Sequence, residues 1–189
     1  MQKIVIFNSS PRLRGAVSQI LEKLMQGARD ASSEVVLYNL NQANIRGCQG
    51  CMYCKKKNLP VCCQRDYLEP MYADIAAADT IVIGSPIYMF HISGQLQTWV
   101  NRLFPFADMQ HTPLLPGKKL ITVYSQGASV PQAFQGAMDY LKGIMDIMGW
   151  EEIHRIVNTD CLPAAQPAHV PHSILQPASE LRNTLRQKP

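Results

Sequence analysis

Short apolar, β-branched runs alternate along the chain with longer stretches in which apolar residues return every three or four positions. KIVIFN (3–8), EVVLYNL (34–40), TIVIGS (80–85), KKLITVYSQ (118–126) and EEIHRIVN (151–158) read as strands. After the first of them, Val17, Ile20, Leu21, Leu24 and Met25 form one stripe of a helix over about 15–30, with Gln19, Glu22, Lys23 and Gln26 facing outward. Helices are also predicted over 67–78, over 93–104 and over 133–150, the second opening on Ser93 as cap and the third carrying a Met-rich apolar face. Parallel strands need crossovers of a dozen or more residues, and the helices supply them, so the alternation predicts an α/β domain with a doubly wound, five-stranded parallel sheet and helices on both faces. It fills residues 1–160, without internal repeat or domain-length linker. Residues 161–189, rich in Pro, Ala and His, are expected to form a surface arm ending in one short helix, QPASELRNTLRQ.

In such a sheet ligands lie beyond the carboxyl ends of the strands, which directs attention to the loops after the first, third and fourth strands. NSSPRLRGAVS (8–18) lacks the GxGxxG spacing of dinucleotide sites and the GxxxxGK[ST] of a P-loop. It still suits a phosphate, since Ser9, Ser10 and Ser18 carry hydroxyls, Arg12 a charged fork, and the amides at the start of the next helix favour an anion. An ordinary capped strand-to-helix loop has the same composition. GSPIYMFHISGQLQ (84–97) offers flat and polarizable surface, as a wall for a planar conjugated ligand would, although core packing or a subunit contact would use the same residues. A lone His91 is expected to be a hydrogen-bonded surface residue. YSQGAS (124–129) presents amides around Gln126 and Gly127 that suit a heterocycle's carbonyl and imide groups, or simply make a turn.

The size of the chain, 189 residues, allows it to bury about 70% of the surface its unfolded form exposes, so disulfide staples are not required. Eighteen Lys+Arg against fourteen Asp+Glu leave a formal charge of +4, compatible with an anionic small molecule or an acidic partner. No basic stripe interleaved with aromatics suggests nucleic acid. No run approaches the length of a membrane span, and MQKIVIFNSSPR enters a strand without a leader pattern, so a soluble, cytoplasmic protein is expected.

Five of the six cysteines crowd into GCQGCMYCKKKNLPVCC (47–63). In a reducing compartment such clustering indicates metal binding or redox activity before disulfides. Cys48, Cys51, Cys54 and Cys62 are spaced C-x2-C-x2-C-x7-C, in which three close thiolates reach three corners of a cubane cluster and a fourth closes it. A zinc ion and free thiols are the other readings, and Cys63 beside Cys62 makes the fourth ligand ambiguous. The lysine run 55–57 reads as a solvated loop, and Cys161 as a packed thiol.

SSPRLRG, IAAADTIVIGSPIYMFHISGQLQTWVNR and LITVYSQGA resemble the flavodoxin-like NAD(P)H-dependent FMN reductases, and the cysteine stretch resembles their iron-sulfur flavoprotein branch. The likeness runs over about residues 1–158. It implies a strand order of 2-1-3-4-5 and bound FMN, with a possible 4Fe-4S cluster. It assigns Ser10, Arg12, Gly15, Ala16, Val17 and Ser18 to the FMN phosphate, Pro86, Ile87, Tyr88 and Met89 to the ring, and Gln126 and Gly127 to its polar edge. Where many relatives have Asn-Thr after the glycine, this chain has Ala16-Val17, so phosphate binding rests more on Ser10, Ser18, Arg12 and backbone amides. The implied activity is transfer of electrons from NADH or NADPH to a quinone, nitro compound, flavin or iron centre. The cofactor carries that chemistry, so no side chain is nominated as general acid or base. A flavin electron carrier or redox sensor without turnover, and a zinc-stabilised interaction module, are the competing functions. A homodimer or homotetramer is expected, from the Met/Phe-rich loop and from the family.

Overall fold

A computed structural model describes residues 1–161, so the arm expected over 161–189 lies, but for its first residue, outside the described residues. The elements in chain order are β1 (Lys3–Asn8), α1 (Ala16–Asp30), β2 (Glu34–Asn39), α2 (Tyr53–Lys57), α3 (Glu69–Ala77), β3 (Thr80–Tyr88), β4 (His91–Ile92), α4 (Gly94–Asn101), β5 (Lys119–Ser125), α5 (Gln135–Ile147) and β6 (Glu151–Asn158). The five predicted strands and the helices predicted over 15–30, 67–78, 93–104 and 133–150 are all present, with most ends shifted by one to three residues, while the short helix expected in the arm lies outside the described residues. The helix expected to reach 104 stops at Asn101, because Pro105 has no N–H with which to continue the ladder, and Phe104–Phe106 tightens into a 3-10 turn.

The sheet runs β2-β1-β3-β5-β6, with all five strands parallel, and the two-residue β4 folds back antiparallel on the end of β3. Counted without β4 this is the expected 2-1-3-4-5 order. Successive side chains of a strand point to opposite faces, and the core divides accordingly. Ile4 and Ile6 pack with Val17, Ile20, Leu21 and Leu24 of α1. Val5 and Phe7 face the other way, into a larger core built from α3, α4 and α5. Gly84 permits the close seating of α1, since a Cβ there would lie 2.6 Å from Val17 Cγ1 and from Leu21 Cδ1.

Two features were not expected from the chain's periodicity. β3 does not end at Ser85 but continues through Pro86 to Tyr88 and closes a hairpin with β4. A short helix, α2, lies inside the cysteine stretch.

Candidate functional site

The register of the sheet brings the three loops to one edge, since Asn8 lies beside Gly84 and Ser125 lies beside both Pro86 and Asn158. Hydrogen bonds then tie the loops together. Ser9 donates its backbone N–H (2.9 Å) and its hydroxyl (2.8 Å) to the Gly84 carbonyl. The Ser93 hydroxyl, which caps α4, donates to Ser9 Oγ at 2.8 Å.

The first loop is built around Asn8, which is buried. Its Nδ2 donates to Ser18 Oγ at 2.9 Å and to Asn39 Oδ1 at 3.0 Å, while its Oδ1 accepts the Ser10 N–H at 3.1 Å. Ser10 Oγ accepts from the Arg12 N–H at 3.2 Å and Ser18 Oγ donates to the Arg12 carbonyl at 2.8 Å, so both hydroxyls hold the loop's own backbone in shape. Arg12 and Arg14 are exposed beside the N-terminus of α1. Gly15 is the cap residue and offers no side-chain acceptor, which leaves the N–H groups of Ala16, Val17 and Ser18 as the uncompensated positive end of a 15-residue helix. A Cβ on Gly15 would lie 3.0 Å from Arg12 Cβ, within the turn itself.

The second loop is the tip of the β3–β4 hairpin. Pro86 and Ile87 are buried at its base, Tyr88 is half-exposed, and Met89 and Phe90 are 90% and 75% exposed. Both tip residues have positive φ, 47° and 64°, as a two-residue type I′ turn demands, yet neither is the Asn or Gly that adopts it without strain. Strain of this kind is retained where a side chain is needed at that point. Phe90 meets Phe134 edge-on at 5.5 Å, which links the tip to the segment after β5. His91 is exposed and stands edge-on to Tyr140 at 4.8 Å.

In the third loop Gln126 is buried, its Nε2 donating to the Val130 carbonyl at 2.7 Å, while its Oε1 is enclosed without a hydrogen-bond partner. A buried carbonyl oxygen without a donor is costly unless a ligand or water supplies one. A Cβ at the exposed Gly127 would meet nothing within 4 Å, so space lies open beside it. Cys161 closes this loop from below by donating its N–H to the Gln126 carbonyl at 2.9 Å, and burial pushes its thiol above the usual range.

The cysteine stretch lies elsewhere, against the C-terminal end of α4. Cys48, Cys51, Cys54 and Cys62 line one open cleft together with Asn101 and Arg102. Among the described residues no three His, Cys, Asp or Glu side chains are gathered as a metal site. Cys63 stands outside the cleft, its sulfur 3.5 Å from that of Cys51. The Tyr53 N–H and the Cys63 thiol hold the Cys51 thiol below its ordinary range, while the same contact with Cys51 pushes Cys63 up. Burial raises the Cys54 thiol.

Two buried cations moor this stretch, and the chain's pattern pointed to neither. Lys55 belongs to the run expected to be solvated, yet it is buried: its ammonium donates to the carbonyls of Phe104 (2.6 Å) and Ala107 and lies 3.7 Å from the centre of the Phe104 ring. Burial lowers its pKa. Arg102 Nη1 donates to the Arg46 carbonyl at 2.6 Å and to Asp66 Oδ2 at 2.7 Å, gripping the two ends of the stretch. Burial disfavours the Asp66 charge, but the hydrogen bonds from Arg102 and from the Arg46 and Leu68 N–H groups outweigh it and keep the carboxyl below the usual range. Asn8 was likewise missed, although a polar residue ending an apolar strand is a visible signal. Lys55 and Arg102 leave none, because their partners, backbone carbonyls and for Arg102 also the Asp66 carboxylate, lie far away in sequence.

Among the described residues no helix is long and apolar enough to cross a membrane. Residues 2–185 match the family model described as the flavodoxin-like fold. The chain is 29% identical over 139 residues to an iron-sulfur flavoprotein of Archaeoglobus fulgidus, a match that covers 72% of this chain and 60% of the relative. It is 34% identical over 96 residues to an FMN-dependent NADH:quinone oxidoreductase of Rhizobium meliloti, covering 46% and 47%. The chain therefore spans about half to three-fifths of the length of these curated relatives. An NAD(P)H:quinone oxidoreductase from Methanothermobacter marburgensis superposes with a TM-score of 0.76 at 14% identity, over 99% of this chain and 97% of that one. With a family match over nearly its whole length, and a parallel sheet in the order that such a fold has, this chain belongs to the flavodoxin-like family.

Proposed function

We propose that the chain is an FMN-dependent oxidoreductase that takes electrons from NADH or NADPH and passes them to a quinone or a similar small acceptor. The observation that carries this reading is the uncapped N-terminus of α1 beneath a loop already shaped by Asn8, at the same sheet edge as the exposed Tyr88–Phe90 tip. The amides of Ala16, Val17 and Ser18 and the Arg12 guanidinium suit a phosphate monoester. Pro86, Ile87, Tyr88 and Met89 suit one face of a flat ring, and the orphaned Gln126 Oε1 suits an imide N–H at its edge, beside the open space at Gly127. Bound FMN supplies the hydride and electron chemistry. The chain's own residues orient the ring and neutralise its phosphate. The names of the Rhizobium meliloti relative and of the Methanothermobacter marburgensis neighbour support a quinone as acceptor.

The test is a titration of FMN into the chain and into the Ser10→Ala/Arg12→Ala double variant. Loss of a charged hydrogen bond, about 1.5–3 kcal/mol, predicts roughly a tenfold to hundredfold weaker Kd, and unchanged affinity refutes the assignment. Steady NADH or NADPH oxidation in the presence of added quinone separates an enzyme from a flavin carrier or redox sensor.

The cleft supports a second feature of the same protein. Cys48, Cys51, Cys54 and Cys62 face one space and are thiolate donors of the kind a 4Fe-4S cluster takes, in keeping with the name of the Archaeoglobus fulgidus relative. The visible spectrum of anaerobically purified protein decides between flavin peaks over a broad iron-sulfur shoulder and flavin peaks alone. The exposed Met89 and Phe90 also favour a homodimer or homotetramer, which sedimentation at micromolar concentration checks. In this reading the protein works in the cytoplasm, without nucleic acid or membrane.

A further inference from the structure

The five clustered cysteines are not equivalent. Cys54 and Cys62 are half-buried, and Cys62 packs against the main core and accepts the Gln64 N–H at 3.5 Å. Cys48 is exposed and accepts the Gly50 N–H at 3.5 Å. Cys51 and Cys63 are both exposed and face each other at 3.5 Å, twelve positions apart in the chain. Cys51 also lines the cleft that Cys63 does not reach. It therefore belongs to two groupings at once, the four thiols of the cleft and a surface dithiol.

From this geometry we infer that Cys51 and Cys63 form a dithiol site that low-molecular-weight disulfides oxidise to an intramolecular disulfide, withdrawing Cys51 from the cleft. The sulfurs must close from 3.5 Å to about 2.0 Å. Neither is held by packing, and the backbone on both sides of Cys51 is in the left-handed turn region, with Gly50 at φ 62° and Met52 at φ 58°. The surroundings of the pair are already set, because between the two cysteines Lys55 fixes α2 to the Phe104 and Ala107 carbonyls, and outside them Arg102 fixes Arg46 and Asp66. The bond thus closes a short loop whose middle need not move.

The chemistry balances without the flavin. A thiolate of the pair attacks one sulfur of the external disulfide RSSR, whose S–S bond breaks and releases RS⁻. The second cysteine gives up its proton and attacks the mixed disulfide at the protein sulfur, expelling the other RS⁻. Two cysteine thiols lose two protons and two electrons, and RSSR becomes two thiols. This inference does not rest on the flavin reading, because it concerns only thiols outside the three loops.

The test is to treat the full chain, carrying its flavin and freed of metal by a chelator, with oxidised glutathione and then to map disulfides by mass spectrometry. The expected product has lost the mass of two hydrogens and yields one linked peptide pair, Cys51 with Cys63. Cys63→Ser should instead retain one glutathione on Cys51, and Cys62→Ser should form the same bond as the unaltered chain. A bond mapping to any other pair, glutathione adducts without an internal bond in the unaltered chain, or loss of the bond in Cys62→Ser each overturns the inference. Failure of FMN binding leaves this readout untouched, so the two proposals fail separately.

Discussion

The first loop and the cysteine stretch both come after a strand, yet their polar side chains hold them in different ways. The first loop is shaped from within: Asn8, Ser10 and Ser18 bond to one another and to the loop's own backbone, all within eleven residues. The cysteine stretch has the local bonds of α2 and its turns, but its cationic side chains and its flanks are moored from outside, by Lys55 reaching over to Phe104 and Ala107 and by Arg102 reaching back to Arg46 and Asp66. The difference suits two kinds of ligand site. A phosphate site gains from donors already ordered before binding, whereas thiols that take up a metal or exchange disulfides must be free to approach one another.

The strongest way to break the comparison is to cut a mooring. In Asp66→Ala the Arg102 guanidinium, 1% exposed, is left buried without its counter-charge, and stability should fall by about 3–5 kcal/mol in urea unfolding. The same pair sets an acid limit. Asp66 is held below the ordinary carboxyl value, so the folded state binds its proton less readily than the unfolded chain does. Its contribution is present above the unfolded value, near 3.9, and is lost as pH falls through the lower folded value. The unaltered chain should therefore lose stability on acidification in that window, and Asp66→Ala should lose less over it.

Two variants of intermediate and similar size sharpen the contrast by their readouts. Gly84→Ala pushes a methyl into Val17 and Leu21 and should cost about 1–3 kcal/mol while displacing the start of α1, so FMN affinity falls with stability. Lys55→Met leaves the carbonyls of Phe104 and Ala107 without a donor, at about 1–3 kcal/mol, and should speed hydrogen exchange in residues 47–63 with no change in FMN affinity. If Lys55→Met weakened FMN as much as Gly84→Ala does, the two regions would not be separate. The smallest expected effect is at the hairpin tip. Met89→Asn with Phe90→Gly supplies residues that tolerate positive φ and should stabilise the chain by about 1 kcal/mol while weakening FMN. Unchanged affinity would remove the tip from the ring site.

Much of the fold was legible because its signals are periodic. KIVIFN and TIVIGS could be buried strands, and Val17 to Met25 could be one helix face, on spacing alone, so the five parallel strands and the helices between them formed where expected. The hairpin was not legible, since Pro86 ordinarily interrupts a strand and Met89-Phe90 is not a turn sequence. At the candidate site the three loops were identifiable from their position after the first, third and fourth strands. The roles of Ser10 and Ser18 in holding the loop required the Asn8 contacts to be seen.

Sequence by itself determined the layered architecture, the loops that gather at the sheet edge and the crowding of thiols, because hydrophobic spacing and residue chemistry are local properties of the chain. Tertiary structure alone decided that Lys55 is buried, that Arg102 closes on Asp66 thirty-six positions away, and that Cys51 faces Cys63 while sharing a cleft with Cys54 and Cys62. Those outcomes depend on which distant carbonyl, carboxylate or sulfur the packed core brings within hydrogen-bond distance. No period or motif encodes that meeting, since each partner is unremarkable where it stands in the chain.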